Sequence, residues 1–138
     1  MVAALQWRDV TVGTLRLVPL LQGLSPLDSL LSGRPEMSIA HGAWEFGRLV
    51  LDPECRSGPE LVRRIAYLGV EFLSEHTDAE HVFASCTPAL ARLYRRCGFS
   101  VLSSGHASGG SAQGYCLIHA EIREVLRVCA DLPQPALN

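Results

Sequence analysis

The sequence lacks most of the short patterns that mark familiar catalytic sites. It has no C-x-x-C pair, no P-loop ending in G-K-[ST], no G-x-S-x-G elbow and no H-E-x-x-H motif. These absences argue against zinc ribbons, P-loop nucleotide-binding proteins, serine hydrolases of the elbow type and zinc peptidases. The five histidines are scattered without metal-ligand spacing, so we predict no metal site.

The chain also has little net charge and no long apolar run. It carries 12 basic and 14 acidic residues, which does not favour nucleic acid as a partner. No apolar run approaches the roughly 20 residues of a membrane span, and the first 18 residues lack the layout of a secretory signal. The five cysteines are odd in number, which favours reduced thiols. We therefore expect a cytoplasmic protein.

The composition is that of a folded protein, with 48% hydrophobic and 19% charged residues. At this length we expect one domain over residues 1–138. Val2–Trp7 and residues 10–18 predict a β-hairpin with its turn at Arg8 and Asp9. The proline- and glycine-rich residues 19–42 predict a long connection with one short helix, capped by Ser25.

The rest of the chain alternates between predicted strands and helices. Further strands are predicted at residues 43–51, 81–86, 99–102 and 115–122. Helices are predicted at residues 60–76 and 123–130, and a third helix is predicted to begin after Thr87, which would cap it. Residues 103–114 predict a flexible glycine- and serine-rich loop, and residues 131–138 a tail. The fold class is α/β (α+β): a mixed, mostly antiparallel sheet with a central strand–helix–strand unit and helices packed on it.

One strand carries the strongest functional signal. Glu45 stands inside the apolar run W-E-F-G-R-L, and Arg16 interrupts another apolar strand. A charge is costly to bury alone, so Glu45, Arg48 and Arg16 are candidates for a shared charged site in which Glu45 acts as a general base. Glu45 and Arg48 share one strand face only if a bulge intervenes, and Gly47 is suited to one. The alternative is an edge-strand pair facing water.

Four segments together resemble the LuxI-type acyl-homoserine-lactone synthases. They are V-G-T-L-R-L-V-P, P-L-D-S-L-L, W-E-F-G-R-L and R-L-Y-R-R-C-G-F, in family order along the chain. The resemblance implies a GNAT-like fold and transfer of an acyl chain from acyl carrier protein to the amine of S-adenosylmethionine, which makes a quorum-sensing signal. No cofactor is then needed, because the carrier protein's phosphopantetheine arm and S-adenosylmethionine are substrates.

The resemblance also implies roles for individual residues. Glu45 and Arg48 match catalytic positions of the family. The substrate-binding positions are Arg16, Trp44, Phe46, Phe83, Ser85 and Cys86, of which the last three border the acyl pocket. Gly47 replaces the family's serine, and the family's N-terminal part, which lines the S-adenosylmethionine site, has no counterpart in this chain.

Other readings remain open. Ordinary acetyltransferases of this fold cradle the coenzyme A pyrophosphate on a glycine-rich turn, whereas here Pro59 removes an amide and Glu60 adds negative charge. This favours acyl carrier protein, an acidic partner suited to the arginines near residues 63 and 95. The alternatives are a related N-acyl amino acid synthase or another GNAT N-acyltransferase with a different small-molecule amine, and an inactive fragment that binds an acyl chain or a partner. Exposed apolar sheet surface would favour a homodimer.

Overall fold

The structure is a computed structural model that describes residues 2–7, 10–51, 59–106 and 114–130. Within these ranges, side chains are described for residues 13–47, 61–105 and 114–130. The strands are β1 (Val2–Trp7), β2 (Val10–Pro19), β3 (Trp44–Leu51), β4 (His81–Cys86), β5 (Ser100–His106) and β6 (Tyr115–Glu121). The helices are α1 (Leu27–Leu31), α2 (Met37–Ala40), α3 (Pro59–His76), α4 (Pro88–Arg95) and α5 (Ile122–Cys129).

The six strands form one mixed sheet in the order β1-β2-β3-β4-β6-β5. β3 and β4 run parallel, while the other four neighbouring pairs are antiparallel. The parallel pair is joined through α3, which confirms the predicted strand–helix–strand unit and the mostly antiparallel sheet. Strand direction therefore alternates across the sheet except in the middle, where β3 and β4 run the same way.

Most elements lie where the sequence predicts them. The hairpin, the strand at His81–Cys86 and the helix after Thr87 are confirmed, and the Thr87 side chain accepts a hydrogen bond from the Leu90 amide at 3.3 Å. The predicted hairpin turn at residues 8–9, most of the predicted turn before α3 and the predicted tail lie outside the described residues.

Two predictions about the connections are corrected. β5 continues to His106, into the stretch predicted as a loop, because it goes on pairing with β6 as far as the pair His106 and Tyr115. The long connection contains a second short helix, α2. Its four residues are too few to produce a recognisable helical pattern in the sequence. Residues 107–113 of the predicted loop lie outside the described residues.

Each face of the sheet is covered by a different part of the chain. Alternation along the strands sends Leu15, Leu17 and Phe46 into a core with α3, α4 and α5. The opposite face carries a smaller core that includes Leu20, Phe83 and buried side chains of the connection between β2 and β3. This second face, covered by the connection that contains α1 and α2, holds the candidate site.

Candidate functional site

Glu45 is a buried carboxylate in the middle of the sheet. It pairs with Val18 on β2 and with Phe83 on β4, and its residue is only 7% exposed. The Ser25 hydroxyl donates a hydrogen bond to Glu45 Oε1 at 2.7 Å, and Ser25 is itself 8% exposed. A hydrogen bond to a carboxylate oxygen offsets part of the cost of burying its charge.

Ser25 belongs to a segment that crosses above Glu45, which we call the strap (residues 20–28). Asp28 holds the strap in shape, since its two carboxylate oxygens accept hydrogen bonds from the amides of Leu21 at 2.7 Å and Gly23 at 3.1 Å. Leu21 has a φ of +60°, a value that residues with side chains adopt rarely. The two bonds to Asp28 stabilise this unfavourable backbone, so the strap is a built feature of the site.

Arg16 lies on the same face as Glu45. It pairs with Gly47, two residues along β3 from Glu45, so the two charged residues are diagonal neighbours within reach of long side chains. The Arg16 guanidinium donates to the Leu24 carbonyl at 3.4 Å. Arg16 and Glu45 therefore contact consecutive residues of the strap, Leu24 and Ser25, and the structure brings these two predicted residues together.

A bulge follows Gly47 on β3. Thr14 pairs with Val50 and Arg16 with Gly47, so a single residue of β2 faces two residues of β3, Arg48 and Leu49. The bulge therefore falls next to the glycine that suggested it. The side chain of Arg48 lies outside the described side chains, so its catalytic role stays a prediction.

The central strands separate beside this bulge. In the described part of the sheet, β3 and β4 pair only from Trp44 to Phe46 against Val82 to Ala84, although β3 runs on to Leu51 and β4 to Cys86. Beyond these pairs, the described register of β3 and β4 contains no further ladder pair. An extended chain with amide groups can hydrogen-bond to a strand edge.

The other predicted residues divide between the two faces. Phe83 is fully buried on the Glu45 face, and Ser85 is half-buried on the same face. Trp44, Phe46 and Cys86 belong to the helix-side core, because they alternate with Glu45 and Ser85 along their strands. Trp44, which was predicted to bind substrate, therefore does not lie on the Glu45 face.

Cys86 is not an activated thiol. Burial, with a smaller contribution from Cys116, raises the pKa of Cys86 to about 12. A thiol with this pKa stays protonated at neutral pH and is a poor nucleophile. The structure therefore favours the reading of Cys86 as a small core residue at the end of β4.

Sequence reasoning missed three contributions to this site. Ser25 was predicted only as a helix cap, and its hydroxyl does accept from the Leu27 amide at 3.0 Å, but it also binds Glu45. The roles of Asp28 and of the Leu24 carbonyl had no signal in the sequence, because they depend on the path of the strap.

Among the residues that the structure describes, no group of three or more histidine, cysteine, aspartate or glutamate side chains is arranged to hold a metal ion. In the same part of the chain, no helix has both the length and the apolar character needed to cross a membrane.

Comparison with known proteins decides the family. Residues 1–121 match the sequence profile of the FeeM N-acyl amino acid synthases. The chain belongs to the FeeM family. A search of curated protein sequences found no match. The family match supports the predicted alternative, an N-acyl amino acid synthase, and membership of the LuxI-type synthases is not confirmed.

Solved structures of similar fold support the GNAT-like architecture. The AHL synthase LasI superposes with a TM-score of 0.69 at 16% identity, over 93% of this chain and 68% of LasI. FeeM, an N-acyl amino acid synthase from uncultured soil microbes, gives 0.66 at 17% identity, over 86% of this chain and 66% of FeeM. A putative N-acetyltransferase from Lactobacillus plantarum superposes with a TM-score of 0.60 at 18% identity, over 84% of this chain and 64% of the acetyltransferase. This FeeM-family chain thus spans about two thirds of the length of these proteins.

Proposed function

We propose that this FeeM-family chain is an N-acyltransferase that joins an acyl group to the amine of an amino acid. The observation that carries the proposal is the buried Glu45 carboxylate, held by Ser25 beside the place where β3 and β4 separate. A buried, hydrogen-bonded carboxylate is suited to accept a proton from an attacking amine. Membership of the N-acyl amino acid synthase family supports the same reaction.

The proposed step balances without any cofactor. Glu45 takes a proton from the acceptor's ammonium group, and the freed amine attacks the carbonyl carbon of the acyl thioester. The C–N bond forms and the C–S bond breaks, and the departing sulfur takes a proton to leave as a thiol. Arg16, which shares a face with Glu45, is the residue we assign to the acceptor's carboxylate, because a guanidinium matches carboxylate geometry.

The donor we propose is an acyl thioester carried by acyl carrier protein. The edges of β3 and β4 beyond Phe46 and Ala84 would hydrogen-bond the amide groups of its phosphopantetheine arm. Exposed arginines in α4 and directly after it supply positive charge for an acidic acyl carrier protein. They are Arg92, Arg95 and Arg96.

S-adenosylmethionine is the second candidate acceptor. The similarity of fold to LasI, an AHL synthase, favours it, and the four sequence segments that resemble the LuxI-type enzymes point the same way. The two acceptors give different products, an N-acyl amino acid or an acyl-homoserine lactone, so a single assay distinguishes them.

The test is mass spectrometry of products formed by the purified chain. Acyl carrier protein loaded with a mixed set of acyl groups is supplied with either the free amino acids or S-adenosylmethionine, and acyl-coenzyme A replaces the carrier in a parallel reaction. We expect N-acyl amino acids from the carrier-bound donor. A lactone alone would establish the second candidate, and no product from folded protein would favour the inactive-fragment reading.

The variant Glu45→Gln tests the proposed base. We expect the turnover number to fall by about 100- to 10,000-fold, the usual contribution of a positioned base. Folding should persist, because the amide oxygen of glutamine can still accept from Ser25. Glu75→Gln, an exposed position near the end of α3, is the matched control and should keep full activity. An unchanged turnover number in Glu45→Gln would remove Glu45 from the mechanism.

A further inference from the structure

Two buried cysteines lie where the end of α4 meets α5. Cys97 belongs to the turn that ends α4, and its amide donates to the Tyr94 carbonyl at 2.8 Å. Cys129 is the last residue of α5. Both residues are fully buried in the helix-side core. The reaction proposed for Glu45 uses neither of them, so their presence together calls for its own explanation.

A close backbone contact brings the two segments together. Gly98, which follows Cys97, has a φ of +100°, and a Cβ atom placed on it would stand 3.4 Å from Glu124 Cγ and 3.6 Å from the Glu124 carbonyl carbon. The glycine therefore lets the chain that leaves α4 pass directly against α5. In this arrangement the Cys97 thiol donates a hydrogen bond to the sulfur of Cys129.

A positive charge stands beside the two sulfurs. The Arg63 guanidinium, on α3, donates to the carbonyl of Val128 at 3.2 Å, one residue before Cys129. It also hydrogen-bonds to the Cys129 sulfur, while its Nε is buried without a hydrogen-bond partner among the described residues. The hydrogen bond from Cys97, and then the charge of Arg63, lower the pKa of Cys129 against the opposing effect of burial. These are the surroundings of a reactive thiolate.

We propose that Cys97 and Cys129 form a redox-active pair, which a peroxide oxidises to a disulfide that joins the end of α4 to the end of α5. The site lies apart from the acyl-transfer site and does not depend on the proposed function. Its ligand class is a small peroxide, and its modification is reversed by a dithiol.

The step balances with hydrogen peroxide as the oxidant. The Cys129 thiolate attacks one oxygen, the O–O bond breaks, and the departing hydroxide takes up the proton that the Cys129 thiol had lost. This leaves a sulfenic acid on Cys129. The Cys97 sulfur then attacks the Cys129 sulfur, the S–S bond forms, the S–O bond breaks, and the second hydroxide leaves as water with the Cys97 proton. The two sulfurs together lose two electrons, which the peroxide gains.

A second pair of cysteines provides an internal control. Cys86 and Cys116 are register partners across β4 and β6, and both are buried. Burial and the neighbouring Cys116 both raise the pKa of Cys86, so that thiol stays protonated. The two pairs are alike in burial, and they differ in the cation that stands beside Cys129. Preferential oxidation of one pair therefore reports on that difference.

The experiment treats the purified, reduced chain with hydrogen peroxide at a concentration that oxidises glutathione to completion. Samples are followed over time by peptide mass spectrometry, since peroxide reaches buried sulfurs only through local opening of the structure. We expect peptides linked through Cys97 and Cys129, while Cys86 and Cys116 remain free for alkylation after unfolding. Equal oxidation of the two pairs, or Cys97 and Cys129 that both stay free, would overturn the proposal.

Variants separate the roles of the individual residues. In Cys97→Ala, Cys129 has no partner, so dimedone, a reagent for sulfenic acids, should label Cys129. Arg63→Met keeps the apolar stem and should slow disulfide formation about tenfold or more, because each unit of pKa changes the thiolate fraction about tenfold. Arg123→Met removes an equal charge from an exposed position of α5 and should keep the wild-type rate. A wild-type rate in Arg63→Met would overturn the role of Arg63.

Thermal unfolding supplies an independent readout. The oxidised protein should unfold at a higher Tm than the reduced protein, because the bond closes the loop of residues 97–129 and constrains the unfolded chain. Dithiothreitol should restore the lower Tm and both free thiols. A lower Tm after oxidation would mean that the bond distorts the native packing, and this would overturn its assignment to the native contact of α4 with α5. None of these readouts requires acyl transfer, so their failure leaves the proposed function untouched.

Discussion

At the scale of single residues, we predict that a pair of histidines couples the stability of the sheet to pH. His81 Nδ1 and His119 Nε2 lie 2.9 Å apart, and the His119 ring packs against Phe83 with ring centres 4.8 Å apart. One ring must donate and the other accept, so the contact requires at least one neutral histidine. Burial and then the nearby His81 lower the pKa of His119, and Glu121 and Glu36 only partly oppose them.

We expect the free energy of unfolding to fall as the pH drops below about 6.5, the ordinary pKa of an unfolded histidine. Between that value and the lowered pKa of native His119, the unfolded chain binds a proton that the native protein does not. Below the native pKa both states are protonated and this loss stops. Urea unfolding between pH 5 and pH 8 measures the effect.

The variant His119→Gln should lose this part of the pH dependence, because glutamine does not titrate. His41→Gln, at an exposed position in the connection before β3, should keep it. A wild-type pH dependence in His119→Gln would show that other groups cause the loss.

Single residues could be predicted from the sequence where their immediate context was enough. Glu45 and Arg16 were found because each is a charge inside an apolar run, which is a property of a few neighbouring residues. The Ser25 contact joins residues 20 apart and depends on the path of the strap, so no local pattern encodes it. The same holds for Asp28, whose partners are backbone amides rather than side chains.

At the scale of elements, α3 contacts the sheet through a glycine. A Cβ atom on Gly69 would lie 2.6 Å from Phe46 Cζ and 3.1 Å from Leu15 Cδ2. Gly69 costs the helix about 1 kcal/mol relative to alanine, so its presence needs a packing reason. The close approach of the helix to Phe46 supplies that reason.

We expect Gly69→Ala to destabilise the protein in spite of the better helix propensity. Overpacking a core costs about 1–3 kcal/mol, which exceeds the gain of about 1 kcal/mol through most of its range. Thermal unfolding followed by circular dichroism would show a lower Tm. Adding Phe46→Leu, which shortens the side chain that the new methyl group would meet, should recover part of the lost stability. A higher Tm in Gly69→Ala alone would mean that α3 can move away from the sheet without cost.

Elements with strong local signals were predicted, whereas the end of β5 and the short helix α2 were not. The apolar period of α3 and the Thr87–Pro88 start of α4 can each be recognised from residues that are close together in the sequence. The end of β5 was misplaced because glycine and serine dominate there, yet pairing with β6 keeps the chain extended to His106. The four-residue α2 has no apolar period long enough to detect.

At the scale of the whole molecule, the order of strands creates the site. β6 inserts between β4 and β5, so β4 has antiparallel support on one side and the parallel β3 on the other. The β3–β4 pairing stops after three residues, so the ladder ends one residue beyond Glu45. The sequence predicted the parallel unit but not the end of this ladder, because register between distant strands depends on the assembled sheet.

The surface charge of the molecule gives the last prediction. The chain has a net charge of −2, yet Arg92, Arg95 and Arg96 are exposed together at α4 and its end. If this surface receives acyl carrier protein, Arg92→Glu with Arg95→Glu should raise KM for the loaded carrier about tenfold or more at low salt and leave kcat nearly unchanged. Added salt should shrink the difference, because exposed charges are screened over about 10 Å at 0.1 M ionic strength.

The control for that prediction reverses two arginines of α5. Arg123 and Arg127 are also exposed, but they pair with Glu121 and Glu124. Exposed pairs of this kind contribute about 0–1 kcal/mol, so Arg123→Glu with Arg127→Glu should fold and should change KM for the carrier little. Equal increases in KM for both double variants would mean that the carrier responds to overall charge, and the docking surface would then not be α4.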